Sequence, residues 1–315
     1  MVNENRNIKE DIIKHLYLAK GKIVSGINLS DIFKISRTAI WKHITSLKKD
    51  GYDIESRSKG YVLLNHDDLL LPFCFNKKFQ NRIFHFQELE TTMDRAKILA
   101  KDSAPHLSVV IAENQTIGRG RMNREWFSSK GGLWFTLILK PQIPPPLAYI
   151  YNFAASLSLS KSLRQLYDIE VYVKWPNDLL LNGNKLAGLL SEMATRADMV
   201  EYINIGIGIN INNRPQKYEP KAISLKDVLN KNLSRKLLLE TFLDDFETRI
   251  QTIECKKIIK EWKTMTSTIG SRVRIETLTE VFEGTAIDVD ETGTLIIKDK
   301  TGETQKIIYG DCFHT

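Results

Sequence analysis

Three arginines fall within six residues in the stretch Gly118-Arg119-Gly120-Arg121-Met122-Asn123-Arg124-Glu125-Trp126. Glycines alternating with arginines make a loop that bends sharply and lets backbone amides approach a ligand. Guanidinium is a planar fork that suits phosphate oxygens, and Trp126 adds a large flat surface. A second group is Lys174-Trp175-Pro176-Asn177-Asp178, followed by Lys185-Leu186-Ala187-Gly188. Lys185 opens an otherwise apolar run, where a lysine must snorkel to water or meet an anion. The third is Ile203-Asn204-Ile205-Gly206-Ile207-Gly208-Ile209-Asn210-Ile211-Asn212. Period two sends the five isoleucines to one face, the core. Glycine weakens a strand interior unless something approaches closely, so a flat ligand over Gly206 and Gly208 is expected. Taken singly, each group also fits a bland role: a solvated basic turn, an edge-strand lysine, glycines against a neighbouring backbone.

The elements that must position these residues follow from periodicity. Leu133–Lys140, Glu170–Trp175, Leu179–Leu181, Leu186–Ser191 and Tyr202–Ile211 read as strands, as do Arg82–Gln87 and Ser108–Ala112. Asn182-Gly183 is a type I′ hairpin signal. Met93–Lys101, Leu147–Tyr167, Arg235–Glu254 and Lys256–Met265 read as helices. The result is a largely antiparallel or mixed sheet with helices on one face. From Ile269 onward, short strands separated by Gly-containing turns form a small β-domain. Before residue 67 the pattern is different. Ile8–Lys20, Leu29–Phe33 and a helix from the N-cap Ser36 to Lys49 precede two strands, Tyr52–Arg57 and Tyr61–Leu64, joined by Ser58-Lys59-Gly60. Three helices and a two-stranded wing make a winged helix-turn-helix. At about 100° per residue, Ile40, Ile44 and Leu47 share one face of the third helix, with Thr38, Lys42, Thr45 and Lys49 opposite.

The 315 residues suit two or three domains. Net charge is +7, and residues 1–66 carry most of it, with 12 Lys+Arg against 7 Asp+Glu. A basic small domain fits either a solvated basic face or the electrostatic footprint of a nucleic-acid partner. The longest apolar stretch, near Leu133–Leu139, is far short of the roughly 20 residues of a membrane span. The first residues, MVNENRNIKED, have no apolar core, so a cytoplasmic location and no membrane partner are expected. Cys74, Cys255 and Cys312 are far apart and contain no C-x-x-C pair, which points to neither a disulfide framework nor a zinc site.

In this order and spacing, Gly-Arg-Gly-Arg-x-x-Arg-x-Trp, Lys-Trp-Pro-Asn-Asp, Lys-Leu-Ala-Gly and Gly-x-Gly-x-Asn resemble the biotin protein ligases. With the winged helix, the chain resembles their bifunctional form, which is also the biotin operon repressor. The resemblance implies an α+β fold: an N-terminal winged helix-turn-helix over 1–66, a class II synthetase-like mixed sheet with helices over 67–268, and a small SH3-like β-barrel over 269–315. It implies activation of biotin with ATP and Mg2+ to biotinyl-5′-AMP. Biotin then passes to a lysine of the biotin carboxyl carrier protein domain of a biotin-dependent carboxylase. Operator DNA and a second copy in a homodimer are the other implied partners.

By the same resemblance Arg119, Arg121 and Lys185 are catalytic. Thr91, Thr92, Met93, Gln115, Gly118, Gly120 and Gly188 join them around biotin. Arg121, Arg124, Trp126, Asn177 and Asn210 bind the nucleotide. Ser36, Arg37, Thr38, Lys42, Arg57 and Lys59 face DNA. No resident metal is implied; Mg2+ arrives with ATP, and Asp178 is placed to help position it or the incoming lysine. Two positions depart from the family. Met93 stands where asparagine is common and cannot make its hydrogen bonds. Met122-Asn123 stands where Arg-Gly is common, and Asn123 is expected to supply the left-handed turn. The rival readings are a lipoate or octanoate ligase, and a repressor that senses biotin without catalysis.

Overall fold

The computed structural model describes residues 7–315, Asn123 by its backbone alone. Two compact units appear, one up to Gln80 and one over Asn81–Thr315. The first contains α1 (Ile8–Leu18), α2 (Gly26–Phe33), α3 (Arg37–Lys49) and the antiparallel pair β1 (Ile54–Arg57) and β2 (Gly60–Leu63). Residues 1–6 of the expected 1–66 domain lie outside the described residues. Serines open two of the helices. The Ser25 hydroxyl accepts from the Asn28 amide at 3.0 Å and the Ser36 hydroxyl from the Ala39 amide at 3.1 Å, satisfying donors that a helix start leaves free. Ser25 starts α2 three residues before the expected Leu29. Ile40, Ile44 and Leu47 are buried among Ile12, Leu16 and Leu29, as the helical spacing requires.

The segment after residue 66 corrects the expected boundary. Leu71 and Cys74 are buried in the core of the first unit, and Leu69 and Phe73 pack against it. The Tyr17 hydroxyl donates to the Cys74 carbonyl at 3.4 Å. α4 (Lys77–Gln80) completes this unit. Apolar side chains in what reads as a connector are the cause: they have a core to join.

The second unit runs through β3 (Ile83–Leu89), α5 (Thr92–Lys101), β4 (Ser108–Gln115), β5 (Leu133–Leu139), α6 (Tyr149–Tyr167), β6 (Val171–Lys174), β7 (Asp178–Leu181), β8 (Asn184–Arg196) and β9 (Met199–Ile209). Then follow α7 (Leu225–Leu229), α8 (Arg235–Gln251), α9 (Cys255–Met265) and β10 (Arg272–Glu276), β11 (Val281–Val289), β12 (Leu295–Lys298), β13 (Thr304–Ile307) and β14 (Asp311–His314). Seven strands form one mixed sheet in the order β3-β4-β5-β9-β8-β7-β6. Only β3 and β4 are parallel, because α5 supplies the crossover that a parallel pair needs. Asn182 and Gly183 both have positive φ, 51° and 75°, as the type I′ turn between β7 and β8 demands.

The isoleucines of β9 are all buried. Ile207 lies opposite Phe135, and cross-strand partners share a face. The Phe135 ring meets Phe242 of α8 edge-on at 5.6 Å, so the isoleucine face packs against the helical layer. β9 ends at Ile209, short of the expected run: the Asn210 amide still donates to Leu186 of β8, but its carbonyl accepts from the Leu225 amide and the Asn212 amide turns to the Gly131 carbonyl.

The last five strands form an antiparallel sheet ordered β13-β12-β11-β10-β14. Trp175 ties it to the larger sheet. Its indole is fully buried, its Nε1 donates to the Gly293 carbonyl at 3.0 Å, and its amide donates to Thr268 Oγ1 at 2.9 Å. No helix among the described residues is long and apolar enough to cross a membrane.

Candidate active site

One cavity of about 460 Å³ in the second unit draws the three motif groups together. Thr91, Thr92, Met93, Gln115, Arg119, Gly120, Arg121, Arg124, Trp126, Asn177, Asp178, Lys185, Gly188 and Asn210 all line it. Gly118 does not; it lines a smaller neighbouring cavity. A Cβ on Gly118 would come within 2.2 Å of the Trp126 carbonyl, so that glycine lets the two ends of the arginine loop close on each other.

The start of α5 forms one end of the cavity. Thr91 caps the helix, its hydroxyl accepting from the Met93 amide at 3.3 Å. Gln115 Oε1, at the end of β4, accepts from the Thr92 amide at 2.7 Å and from the Thr92 hydroxyl at 3.1 Å. Its Nε2 donates to Ser128 Oγ at 2.7 Å, and Thr136 Oγ1 donates to Thr92 Oγ1 at 2.8 Å. Ser128 and Thr136 are additions that sequence reasoning missed. This chain of side-chain bonds holds Thr92 and Gln115 in fixed orientations.

The glycine face is filled differently from expectation. A Cβ on Gly206 would strike the Met93 sulfur at 2.7 Å, and one on Gly208 would strike the Trp126 indole at 2.4 Å. Gly188 stands directly across from Gly208 in the β8–β9 ladder and also lies under that indole. Protein side chains therefore cover these glycines, and the rigid Trp126 indole over Gly208 is the contact that most demands one. Met93 substitutes packing for the hydrogen bonds it cannot make.

The four motif cations, Lys185, Arg119, Arg121 and Arg124, each meet a carboxylate. Lys185 Nζ is 2.8 Å from Asp178 Oδ1 and 5.3 Å from the Trp126 ring centroid. A bulge between β7 and β8 inserts one extra residue at Leu186; both Leu186 and Ala187 are buried while Lys185 stays half-buried on the cavity. Without that break in alternation, Lys185 would share the side of Ala187. Arg119 is 2.6 Å from Asp94 Oδ1, and Arg124 is 2.7 Å from Asp311 Oδ2. Arg121 donates to Asn177 Oδ1 at 3.4 Å and stands 3.9 Å from Asp311 Oδ1. Burial lowers its pKa, and the nearby Asp311 and Asp178 carboxylates oppose that; guanidinium remains cationic at neutral pH. Asp94 and Asp311 were outside the sequence reading. Asp311 begins β14, so the small C-terminal sheet contributes directly to the cavity wall. Met122, rather than Asn123, takes the left-handed conformation, with φ 52° and ψ 38°.

The first unit presents a basic helix face. Arg37, Thr38, Lys42 and Lys49 of α3 are exposed, as is Lys59 in the wing turn. Ser36 spends its hydroxyl on the cap. Arg57 is tied to Glu55 through two bonds of 2.8 and 2.6 Å, which partly neutralises it. Trp41 is 56% exposed beside this face and escaped the sequence reading; its position one residue from the buried Ile40 was the available signal.

Three family models match the chain. The Biotin/lipoate A/B protein ligase family covers residues 83–210, an HTH domain covers 9–62, and the Biotin protein ligase C terminal domain covers 268–315. The "Bifunctional ligase/repressor BirA" of Bacillus subtilis is 34% identical over 96% of this chain and 97% of its own. Its namesake in Escherichia coli is 28% identical over 89% and 90%. Among solved structures, the biotin protein ligase from Aquifex aeolicus in complex with biotin and ATP superposes with a TM-score of 0.65 at 24% identity, over 74% of this chain and 99% of that one.

Proposed function

From the premise that this chain belongs to the family of bifunctional biotin ligase/repressors, we propose that it makes biotinyl-5′-AMP, biotinylates a carrier protein and binds operator DNA. The observation that carries the enzymatic half is the convergence of Arg119, Arg121, Arg124 and Lys185 on one cavity. A biotin carboxylate oxygen attacks the α-phosphorus of ATP, the bond to the β-phosphate oxygen breaks, and pyrophosphate leaves. The ε-amine of a carrier lysine then attacks the acyl carbon; the bond to the AMP oxygen breaks, an amide forms and one amine proton is released.

Negative charge crowds the α-phosphate in the first step, so fixed cations are its main stabilisers. Lys185 bridges the biotin carboxylate and the α-phosphate. Arg121 and Arg124 serve the phosphates, and Arg119 closes the loop over the adenylate. Their resting partners, Asp178, Asp311 and Asp94, keep these cations paired until an anionic substrate replaces them. Thr91, Thr92 and Gln115 meet the ureido ring, Asn177 and Asn210 the nucleotide. Asp178, released from Lys185, is positioned to receive the lysine proton. Among the described residues no three His, Cys, Asp or Glu side chains converge in a way that could hold a metal ion; the Mg2+ of this proposal comes with the ATP phosphates. The protein acts in the cytoplasm, as a homodimer on DNA, with Ser36, Arg37, Thr38, Lys42, Arg57 and Lys59 facing the duplex.

One titration tests the reading. Purified protein receives biotin and MgATP while pyrophosphate exchange and binding to a duplex from a biotin-gene promoter are followed together. Exchange should depend on biotin, and DNA binding should tighten as adenylate accumulates. Exchange supported by lipoate instead of biotin would overturn the assignment.

A further inference from the structure

Asn213 lies outside the cavity wall and in none of the motif groups, yet it bonds to a residue of that wall. Its side chain is almost fully buried, as is that of Asn210. Asn213 Oδ1 accepts from the Ile211 backbone amide at 3.0 Å. A backbone N–H can only donate, so this contact fixes which end of the Asn213 amide is oxygen. The other end, Nδ2, faces Asn210 Oδ1 at 2.9 Å. An NH2 group can only donate, so Asn210 must present its oxygen to Asn213. Its own NH2 is thereby turned the other way. Among the described residues no acceptor is bonded to Asn210 Nδ2, and Asn210 lines the cavity. The backbone of Asn210 is held on both sides, its amide donating to the Leu186 carbonyl at 3.0 Å and its carbonyl accepting from the Leu225 amide at 3.1 Å. With the main chain anchored and one amide oxygen engaged, the remaining freedom of the side chain is small.

We propose that Asn213 is a positioning residue: it fixes the polarity of the Asn210 amide so that the NH2 donates to an acceptor atom of the bound adenosine phosphate. This rests on the nucleotide-side role of Asn210 proposed above. An unconstrained asparagine could present either end to a ligand; the chain from the Ile211 amide through Asn213 selects the donor.

The test is a double-mutant cycle on the full chain, read by calorimetric binding of ATP alone, without biotin, so that no chemistry runs. Biotin binding and the urea midpoint are measured on the same proteins. Asn213→Ala should weaken ATP binding roughly five- to tenfold and leave biotin affinity within about twofold. Asn210→Ala should cost about the same, and Asn213→Ala should add nothing in the Asn210→Ala background, since the effect passes through that amide. Asn213→Asp keeps the bond from the Ile211 amide but cannot donate. It should draw the Asn210 NH2 to itself, turn the oxygen to the nucleotide, and weaken ATP at least as much as alanine does. Four results would overturn the proposal: ATP affinity within twofold of wild type in Asn213→Ala, the same in Asn210→Ala, a further loss in the double variant, or equal losses for ATP and biotin together with a lower urea midpoint. Because ATP binding is measured directly, the role of Asn213 is decided even if biotin-dependent pyrophosphate exchange fails in the wild type, the result that would sink the ligase reading itself.

Discussion

Arg121→Ala distinguishes a catalytic cation from a structural one, because the two roles differ in magnitude. At rest Arg121 makes a 3.4 Å hydrogen bond to Asn177 and a 3.9 Å ion pair with Asp311. A well-formed hydrogen bond nets about 1 kcal/mol, and these contacts are long. Neither partner is left alone by the substitution. Asn177 Nδ2 still donates to the Leu189 carbonyl, and Asp311 keeps Arg124 at 2.7 Å. Stability should therefore fall by less than about 1 kcal/mol. Facing the charge that develops on the α-phosphate, the loss of one fixed donor costs about 2–4 kcal/mol, or roughly 30- to 1,000-fold in rate. The assay is biotin-dependent pyrophosphate exchange, with urea denaturation on the same sample. Free biotinyl-AMP, measured after the protein is filtered away, should rise because the loop holds it less well. An unchanged exchange rate, or a rate loss accompanied by an equal loss of stability, would refute a catalytic role for Arg121.

Lys185→Gln keeps length and polarity without the charge, and should slow adenylation by more than about tenfold while the thermal midpoint stays near wild type; a fully active glutamine variant would reduce Lys185 to a strand-edge residue. In the first unit, Lys59→Ala should weaken binding to all DNA sequences alike and lower the salt slope by about one, whereas Arg37→Ala should narrow the gap between operator and random duplex; identical behaviour of the two variants would contradict their placement. Glu113 is an acid-sensitive group of the second unit. Burial alone would raise its pKa, but the hydrogen bond with His85 and the Arg235 guanidinium, 2.6 Å away, pull it down to about 2. A carboxyl depressed on folding contributes stability above its unfolded pKa of about 4.3 and loses it as pH falls through the folded value. Unfolding free energies from urea titrations should drop steeply between about pH 4.5 and 2, by an amount on the order of 3 kcal/mol, and Glu113→Gln should flatten that slope; an unaltered slope would show that other carboxyls control it.

Local rules account for the elements and the motifs. The caps, the buried stripe of α3, the Asn182-Gly183 hairpin and the isoleucine face of β9 each follow from a few neighbouring residues, because helix and strand periods are properties of short segments. Lys185 and the Gly-x-Gly strand stood out in the sequence because a lysine in an apolar strand and glycines inside a strand need a compensating partner. What joins them depends on contacts between segments far apart in the chain. Asp311 reaches Arg121 and Arg124 only because β14 pairs with β10. Trp126 lies over both Gly188 and Gly208, a placement set by the β8–β9 register. The cavity side of Lys185 comes from a single-residue bulge, and a one-residue change of register reverses every side chain in a strand. The left-handed residue fell at Met122 rather than Asn123. Residues 69–75 joined the first unit because their apolar side chains found its core. Such outcomes are settled by which surfaces meet, a global balance of packing and charge pairing that no window of sequence contains.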